Sequence, residues 1–284
     1  MPHSSKKLKR WVIKAGSNMI CSGGPLLLKA WMQQLAILKK KYGIEVIWVT
    51  SGAIASAIER MGYQKRKRTL PEKQALSAVG QPLVMDLYNL ALQSVGLLGA
   101  QILLSYDDLK NKSRLMNFNH TVEQLLEWGV TPILNENDAV ATEEIKFGDN
   151  DSLSAWVAHC TRADRLVILT DVEGLYDADP RVNSKARLVK RVEKVTQTLL
   201  SRSASQAGTD RGTGGMLSKL RAAQFASQNS IETWLVKGDV PQILLKIAEN
   251  DAVGTVIEAQ KSKRKSKSPD KSQDKSQDKR KTKS

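Results

Sequence analysis

The alternation of short β-branched apolar runs with longer segments of helical period constrains the fold of this 284-residue chain more than any other feature. Seven runs have the length and composition of buried strands, at 11–16, 44–52, 100–105, 130–134, 165–171, 231–236 and 253–259. Helical patterns occupy residues 25–41, 72–95, 114–128, 151–160 and 215–229. Because strands that are apolar on both faces belong to sheets covered on both sides, the sequence predicts an α/β fold with a mainly parallel sheet sandwiched by helices.

The composition changes abruptly after residue 260. Residues 261–284 contain 11 Lys/Arg and 3 Asp, no aliphatic or aromatic side chain, and the repeat KSPD, KSQD, KSQD. Such a segment cannot offset its ordering entropy, so we expect one domain over residues 1–260 and a disordered basic tail over 261–284. The tail is interpreted either as a solubilising segment or as a polyanion-binding one, for example for nucleic acid. A second basic run, residues 65–68, is predicted to lie in a surface loop.

Several classes of protein are disfavoured by the residue counts. Two cysteines and three scattered histidines form neither a disulfide framework nor a zinc-spaced set. No stretch approaches the roughly 18 apolar residues of a membrane span, and the first residues lack a secretory apolar region. We therefore expect a cytoplasmic protein that is not associated with membranes.

Polar residues follow four of the predicted strands, where ligands bind in parallel α/β sheets. These strand ends read KAGSN, TSGAIA, NENDAV and TDVEGLYDADP. The densest segment is 131–155, in which an apolar run precedes seven polar residues: Asn135, Glu136, Asn137, Asp138, Asp149, Asn150 and Asp151. The sequence predicts that these ends converge on a cleft that holds amines, a metal ion, or both.

Two lysines beside glycine-rich turns suggest a phosphate site, although the chain has neither a P-loop nor a GxGxxG motif. Lys219 follows the turn RGTGG in the first turn of a predicted helix, where a cation opposes the helix dipole at roughly 0.3–1 kcal/mol. Lys14 ends the first strand and precedes AGS. Together they could neutralise a transferring phosphoryl group. The alternatives are a flexible glycine turn with a solvated lysine and a charge that protects a sheet edge.

The acidic residues divide by their position. Asp171 follows VILT at a strand end, where it could orient lysines or approach a metal ion. Asp151 opens a helix, so a simple N-cap is the competing interpretation. Asp138 and Asn150 flank the polar loop and could grip an ammonium and a carboxylate, respectively.

Six stretches, in the order VIKAGS, VTSGAIA, AVGQPLVMDLY, ILNENDAVATEEIKFGDNDSLSA, LTDVEGLYDADPR and GTGGMLSKL, resemble the glutamate 5-kinases of the amino acid kinase family. The resemblance spans about residues 10–258. It implies ATP-dependent phosphorylation of the γ-carboxylate of L-glutamate to L-glutamyl 5-phosphate, the first step of proline biosynthesis, with Mg²⁺ accompanying ATP. An already ionised carboxylate needs no general base, so positioning and charge neutralisation would suffice.

The resemblance also implies residue roles. Lys14 and Lys219 would stabilise the transferring group, Asp171 would orient them, and Asp151 would organise Lys219 or Mg²⁺. The residues implied for glutamate are Ser51, Asp138 and Asn150. Those implied for ATP are Lys14, Thr170, Asp171, Thr213, Gly214, Gly215, Met216, Leu217, Ser218 and Lys219.

The resemblance also has implications for partners, and the chain differs from other family members at some positions. The resemblance implies a homo-oligomer, a downstream glutamyl phosphate reductase and feedback inhibition by proline. Many members carry a C-terminal PUA domain, and here we expect the basic tail in its place. The first motif has Ala15 and Ser17 where a bulkier residue and Thr are usual. Two alternatives stay open: a kinase of this fold for aspartate, acetylglutamate or uridylate, and a nucleic-acid-binding protein with a vestigial kinase body.

Overall fold

A computed structural model describes residues 9–64, 66–140, 150–180, 182–205, 215–251 and 253–260. The predicted tail and Lys65 of the second basic run lie outside the described residues. Arg66 and Lys67 are exposed and Arg68 is half-buried, in a loop between two helices as predicted.

The described part of the chain contains eight strands and nine helices. The strands are β1 Lys9–Ala15, β2 Ile44–Val49, β3 Gly99–Leu104, β4 Thr131–Glu136, β5 Arg165–Thr170, β6 Arg191–Val192, β7 Glu232–Lys237 and β8 Thr255–Ile257. The helices are α1 Ser17–Tyr42, α2 Ala53–Arg60, α3 Leu70–Gln93, α4 Tyr106–Lys110, α5 Lys112–Glu127, α6 Asn150–Cys160, α7 Gln197–Ser205, α8 Met216–Gln228 and α9 Ile243–Ala248.

All eight strands form one sheet in the order β3-β4-β2-β1-β5-β7-β8-β6. The six strands from β3 to β7 in that order pair in parallel, whereas β8 is antiparallel to β7 and β6 is parallel to β8. The predicted α/β class and the seven predicted strands are confirmed. Strand β6 has only two residues, too few to produce a pattern in the sequence.

The sheet separates two apolar cores, which explains why its strands are apolar on both faces. Val12 and Leu166 face the core beneath α5, α6 and α8, whereas Trp11 and Trp48 face the core beneath α1, α3 and α9. Lys14 lies two residues after Val12 and therefore points to the same side, toward α6 and α8. A lysine thus lies at a position that the strand pattern would otherwise give to an apolar residue.

Helix α1 begins earlier than the sequence predicts. The sequence predicts a start at Pro25, but helical structure begins at Ser17 and is broken at Gly24, which has φ 58° and ψ −163°. Pro25 therefore opens the second part of a kinked helix, a position that proline favours because its missing N–H is unneeded there. Among the helices of the described ranges, none is both long and apolar enough to cross a membrane.

Candidate active site

The four polar strand ends belong to four adjacent parallel strands, β4, β2, β1 and β5. Their carboxyl ends therefore open on one edge of the sheet, as the sequence predicts. Helix α6 links β4 to β5 and packs over β1, so its first residues come to the same edge. This edge is the candidate active site.

One buried carboxylate bridges the two predicted lysines. Asp151 Oδ1 lies 2.6 Å from Lys14 Nζ, and Asp151 Oδ2 lies 3.1 Å from Lys219 Nζ. Relative exposure is 0% for Asp151, 4% for Lys14 and 7% for Lys219. Two ammonium groups on one carboxylate leave a local charge of about +1 in a buried position, an arrangement that favours an anionic ligand.

The environment of Asp151 keeps its carboxyl ionised. Burial alone would raise the pKa of Asp151, but the charges of Lys14 and Lys219 and hydrogen bonds from Lys14 and Ser218 hold that pKa below its ordinary value. The Ser218 hydroxyl donates to Asp151 Oδ2 over 2.8 Å. Asp151 is thus an electrostatic organiser of both lysines as well as a residue of the first turn of α6.

Helix α8 brings Lys219 to the site. Gly215 is its N-cap, and Lys219 lies in its first turn, where its charge opposes the helix dipole. The contact with Asp151 compensates for that position. Met216 and Leu217 pack partly against the core, so their side chains help to fix the start of the helix. Thr213 and Gly214, which were predicted to bind ATP, lie outside the described residues.

Thr170 and Asp171 lie at the end of β5, beside β1. The Thr170 hydroxyl donates to Asp171 Oδ1 over 3.1 Å, and Asn18 Nδ2 donates to Asp171 Oδ2 over 3.4 Å. Burial raises the pKa of Asp171, but these bonds, its own backbone N–H and the charge of Lys219 bring that pKa below its usual value. Asp171 thus acts on Lys219 through its charge, while the ion pairs described above join both lysines to Asp151.

Asn150, the residue before Asp151, holds the ends of β2 and β4 together. Its Nδ2 lies 2.6 Å from Thr50 O, 2.7 Å from Ser51 Oγ and 2.7 Å from Asn135 Oδ1. A carbonyl can only accept, so the Thr50 contact fixes which end of the Asn150 amide faces the sheet. Two residues predicted to bind glutamate, Ser51 and Asn150, are therefore in direct contact.

The third, Asp138, is half-buried in the turn two residues after β4. Residues 141–149, which complete the polar loop, lie outside the described residues. Next to Ser51, Gly52 has φ 97°, a left-handed conformation that precedes α2 and that a side chain would strain.

A buried polar network behind this site was not assigned from the sequence. Asn135 Nδ2 donates to Gln81 Oε1 over 2.7 Å, and Trp48 Nε1 and the Thr50 hydroxyl both donate to Tyr88 Oη, over 2.7 and 3.0 Å. Asn135 and Gln81 belong to stretches that carried the resemblance. Their pairing depends on the approach of α3 to β4, for which the sequence gives no local signal.

Within the described ranges, no group of three His, Cys, Asp or Glu side chains could hold a metal ion by itself. Both oxygens of Asp151 already contact ammonium or hydroxyl groups. The exposed side chain of Asp171, by contrast, has long hydrogen bonds and lies at the edge. This donor set suits a Mg²⁺ ion that takes most of its ligands from phosphates and water and at most one from the protein.

A parallel α/β sheet with a buried lysine pair at its carboxyl edge suits an enzyme that transfers a phosphoryl group, and the sequence comparisons show that class. The chain belongs to the amino acid kinase family, whose sequence model matches residues 9–237. Membership of this family implies ATP as the phosphoryl donor.

Several relatives bear the name glutamate 5-kinase. The chain is 41% identical over 257 residues to the one from Teredinibacter turnerae, covering 89% of this chain and 68% of the relative. It is 43% identical over 254 residues to that of Geobacter metallireducens, with 88% and 68% covered, and 43% identical over 250 residues to that of Deinococcus radiodurans, with 87% and 68% covered.

Among solved structures, a product complex of T. acidophilum isopentenyl phosphate kinase superposes with a TM-score of 0.59. The superposition covers 88% of this chain and all of that one, at 14% identity. At that identity the likeness shows the fold alone.

Proposed function

We propose that this protein transfers the γ-phosphoryl group of ATP to the γ-carboxylate of L-glutamate, giving L-glutamyl 5-phosphate and ADP in the first step of proline biosynthesis. The observation that carries the proposal is the adjacency of Asn150 and Asp151. One residue contacts the candidate acceptor pocket, and the next holds the lysine pair. The acceptor and the transferring phosphoryl group would therefore meet at the start of α6.

The lysine pair supplies the charge that phosphoryl transfer requires. A γ-carboxylate oxygen attacks the γ-phosphorus, and the bond to the oxygen of the β-phosphate breaks as ADP leaves. Lys14 and Lys219 would neutralise the charge on the oxygens of the transferring group, and Asp151 would hold both ammonium groups in place. Because the attacking carboxylate is ionised at neutral pH, no residue needs to accept a proton.

The polar groups around Asn150 match the two charged groups on the α-carbon of glutamate, the ammonium and the α-carboxylate. Since Asn150 Nδ2 is held by the ends of β2 and β4, its carbonyl oxygen is the end that can accept from an ammonium, together with the carboxylate of Asp138. This assignment replaces the expectation from the sequence that Asn150 grips a carboxylate. Ser51 Oγ accepts from Asn150, so its own proton can be donated to the α-carboxylate. Each group would thus match one charge of the substrate.

ATP would lie along β5 and the start of α8, with Thr170, Asp171 and the stretch from Thr213 to Lys219 as its contacts. Backbone N–H groups at the N-terminus of α8 suit phosphate oxygens. Mg²⁺, held mainly by the phosphates, would neutralise part of their charge, and Asp171 fits it better than Asp151 because both oxygens of Asp151 are engaged.

The test is coupled ADP release by the purified full chain with ATP and Mg²⁺, with and without L-glutamate. We expect turnover that requires L-glutamate and is lost when Mg²⁺ is chelated. Aspartate, N-acetylglutamate and uridylate, offered in parallel, are expected to give no turnover above background. Turnover with one of these compounds and none with glutamate would show that this compound, and not glutamate, is the acceptor.

The remaining expectations from the resemblance belong to this proposal. The product is an acyl phosphate that water hydrolyses, which suggests that a glutamyl phosphate reductase acts next. Both enzymes would then be located in the cytoplasm. A homo-oligomer is part of the same proposal, and sedimentation of the purified chain measures it directly.

A further inference from the structure

We propose that one face of α3 positions the acceptor pocket through two hydrogen-bonded arms, with Gln81 and Tyr88 as positioning residues that act on Asn150. This inference rests on the proposed function and adds residues to it. Gln81 and Tyr88 are seven positions apart, so they lie on the same face of the helix, two turns from one another. Both are buried, at 7% and 0% exposure.

The first arm runs from Gln81 through Asn135 to Asn150. The backbone N–H of Glu136 donates to Asn135 Oδ1 over 2.9 Å, which fixes that end of the amide as the oxygen. Asn135 Oδ1 also accepts from Asn150, so Asn135 Nδ2 must face Gln81. Gln81 Oε1 is therefore the acceptor that completes the orientation of Asn135.

The orientation of Gln81 depends on this one bond. Gln81 Nε2 is buried and has no hydrogen-bond partner within the described part of the chain. Rotating the amide by half a turn would place Nε2 against Asn135 Nδ2, two donors facing each other. The orientations of the two amides are thus coupled, and that coupling reaches Asn150.

The second arm runs from Tyr88 through Thr50 to Asn150. Tyr88 Oη accepts from the Thr50 hydroxyl, and the Thr50 carbonyl accepts from Asn150 Nδ2. Burial raises the pKa of Tyr88 well above its ordinary value, so the phenol remains neutral in this role. The two arms thus reach two of the three groups that hold the Asn150 amide.

The close approach of α3 to the site is built into its sequence. A Cβ at Gly80 would come within 1.7 Å of Ala53 O, in the first turn of α2. The absence of a side chain at Gly80 therefore lets α3 pack directly against the helix that follows Ser51, and it sets Gln81 beside β4. Gly80 and Gln81 belong to the stretch AVGQPLVMDLY, which contains none of the residues proposed for catalysis or for binding of glutamate and ATP.

The test compares Gln81→Met, which keeps the length of the side chain but cannot accept from Asn135, with Met85→Leu. Met85 is buried one turn along the same face and packs in the apolar core. We expect Gln81→Met to raise the KM for L-glutamate about fivefold to tenfold, with kcat and the KM for ATP within about twofold of wild type. Met85→Leu should leave all three constants within about twofold.

A double-mutant cycle that combines Gln81→Met with Asn150→Ala tells whether Gln81 acts by positioning Asn150 or by a general effect on the structure. If Gln81 acts through Asn150, Gln81→Met should raise the KM for L-glutamate less than about twofold in the Asn150→Ala background. An equal rise in both backgrounds, or a rise in the KM for ATP of the same size, would overturn the proposal.

Tyr88→Phe keeps the ring and provides a second probe should Gln81→Met not fold. It is expected to raise the KM for L-glutamate about twofold to fivefold, again only when Asn150 is present. No change with Tyr88→Phe would remove the second arm, and no change with either variant would overturn the whole proposal. A wild-type chain without glutamate-dependent turnover would instead contradict the proposed function before any variant is compared.

Discussion

Lys14 Nζ lies 2.6 Å from Asp151 Oδ1, and this contact joins the central strand of the sheet to the first turn of α6. The same carboxylate reaches Lys219 at the start of α8, so one side chain links three elements that are far apart in the sequence. A buried carboxylate between two ammonium groups maintains their positions before any phosphate is bound. The site is therefore preorganised for negative charge, which the proposed phosphoryl transfer would require there.

Replacing Lys219 with Ala should remove glutamate-dependent ADP release almost completely. The variant removes one of the two cations that we propose to face the transferring phosphoryl group, and the loss of a comparable preorganised group lowers kcat by about 10²–10³-fold. Lys41→Ala is the control, because this exposed lysine lies at the end of α1, just before the start of β2 and so at the opposite edge of the sheet, and pairs with Glu249 at 3.8 Å. The control should retain wild-type turnover, and full activity in Lys219→Ala would contradict the assigned role.

Asp151→Asn should destabilise the fold as well as the reaction. It leaves Lys14 and Lys219 buried without their shared carboxylate, and breaking a buried ion pair from one side costs about 3–5 kcal/mol. Urea unfolding at pH 7 measures the free energy of unfolding directly. Asp239→Asn, in a partly exposed pair with Lys237, should cost at most about 1 kcal/mol. Equal losses of unfolding free energy in the two variants would show that Asp151 contributes no more to stability than an exposed ion pair does.

The convergence of the strand ends was predictable, whereas the linkage between them was not. Four apolar runs followed by polar residues indicate a parallel sheet with one polar edge, because parallel strands place their carboxyl ends together. From the sequence, Asp151 could be an N-cap or an organiser of Lys219 or Mg²⁺. That it bridges both lysines depends on α6 crossing over β1, which is a tertiary relationship without a local pattern.

The proposed role of Gln81 could not be predicted from the sequence, for a similar reason. Its stretch was recognisable, but its contact with Asn135 arises only because Gly80 lets α3 approach α2. All of the residue roles in binding ATP and glutamate remain predictions, and Thr213 and Gly214 also lie outside the described residues.

The stability of the protein should fall in acid partly because of Asp151. Its pKa is lowered in the folded state, so its contribution is fully present above the unfolded value of about 3.9 and is lost as the pH falls through the lower folded value. Between pH 6 and about pH 2, wild type should lose more of its free energy of unfolding than Asp151→Asn does. Asp108 and Glu123 also have lowered pKa values, but they pair with Arg114 and Arg10 and not with the two lysines, so their contributions cancel in the difference between the two proteins. Parallel curves for the two proteins would contradict this assignment.

Gly52→Ala should weaken glutamate binding as well as stability. Gly52 has φ 97°, and a side chain in a left-handed conformation costs about 1–2 kcal/mol, which the chain would relieve by moving its neighbour Ser51. Gly62→Ala is the matched control, because Gly62 lies just beyond the other end of α2 with φ 66° and open space around it. Both variants should lower the melting temperature, whereas only Gly52→Ala should raise the KM for L-glutamate, by several-fold. Steady-state kinetics at saturating ATP would measure this, and an equal KM in the two variants would mean that the backbone at Gly52 does not position Ser51.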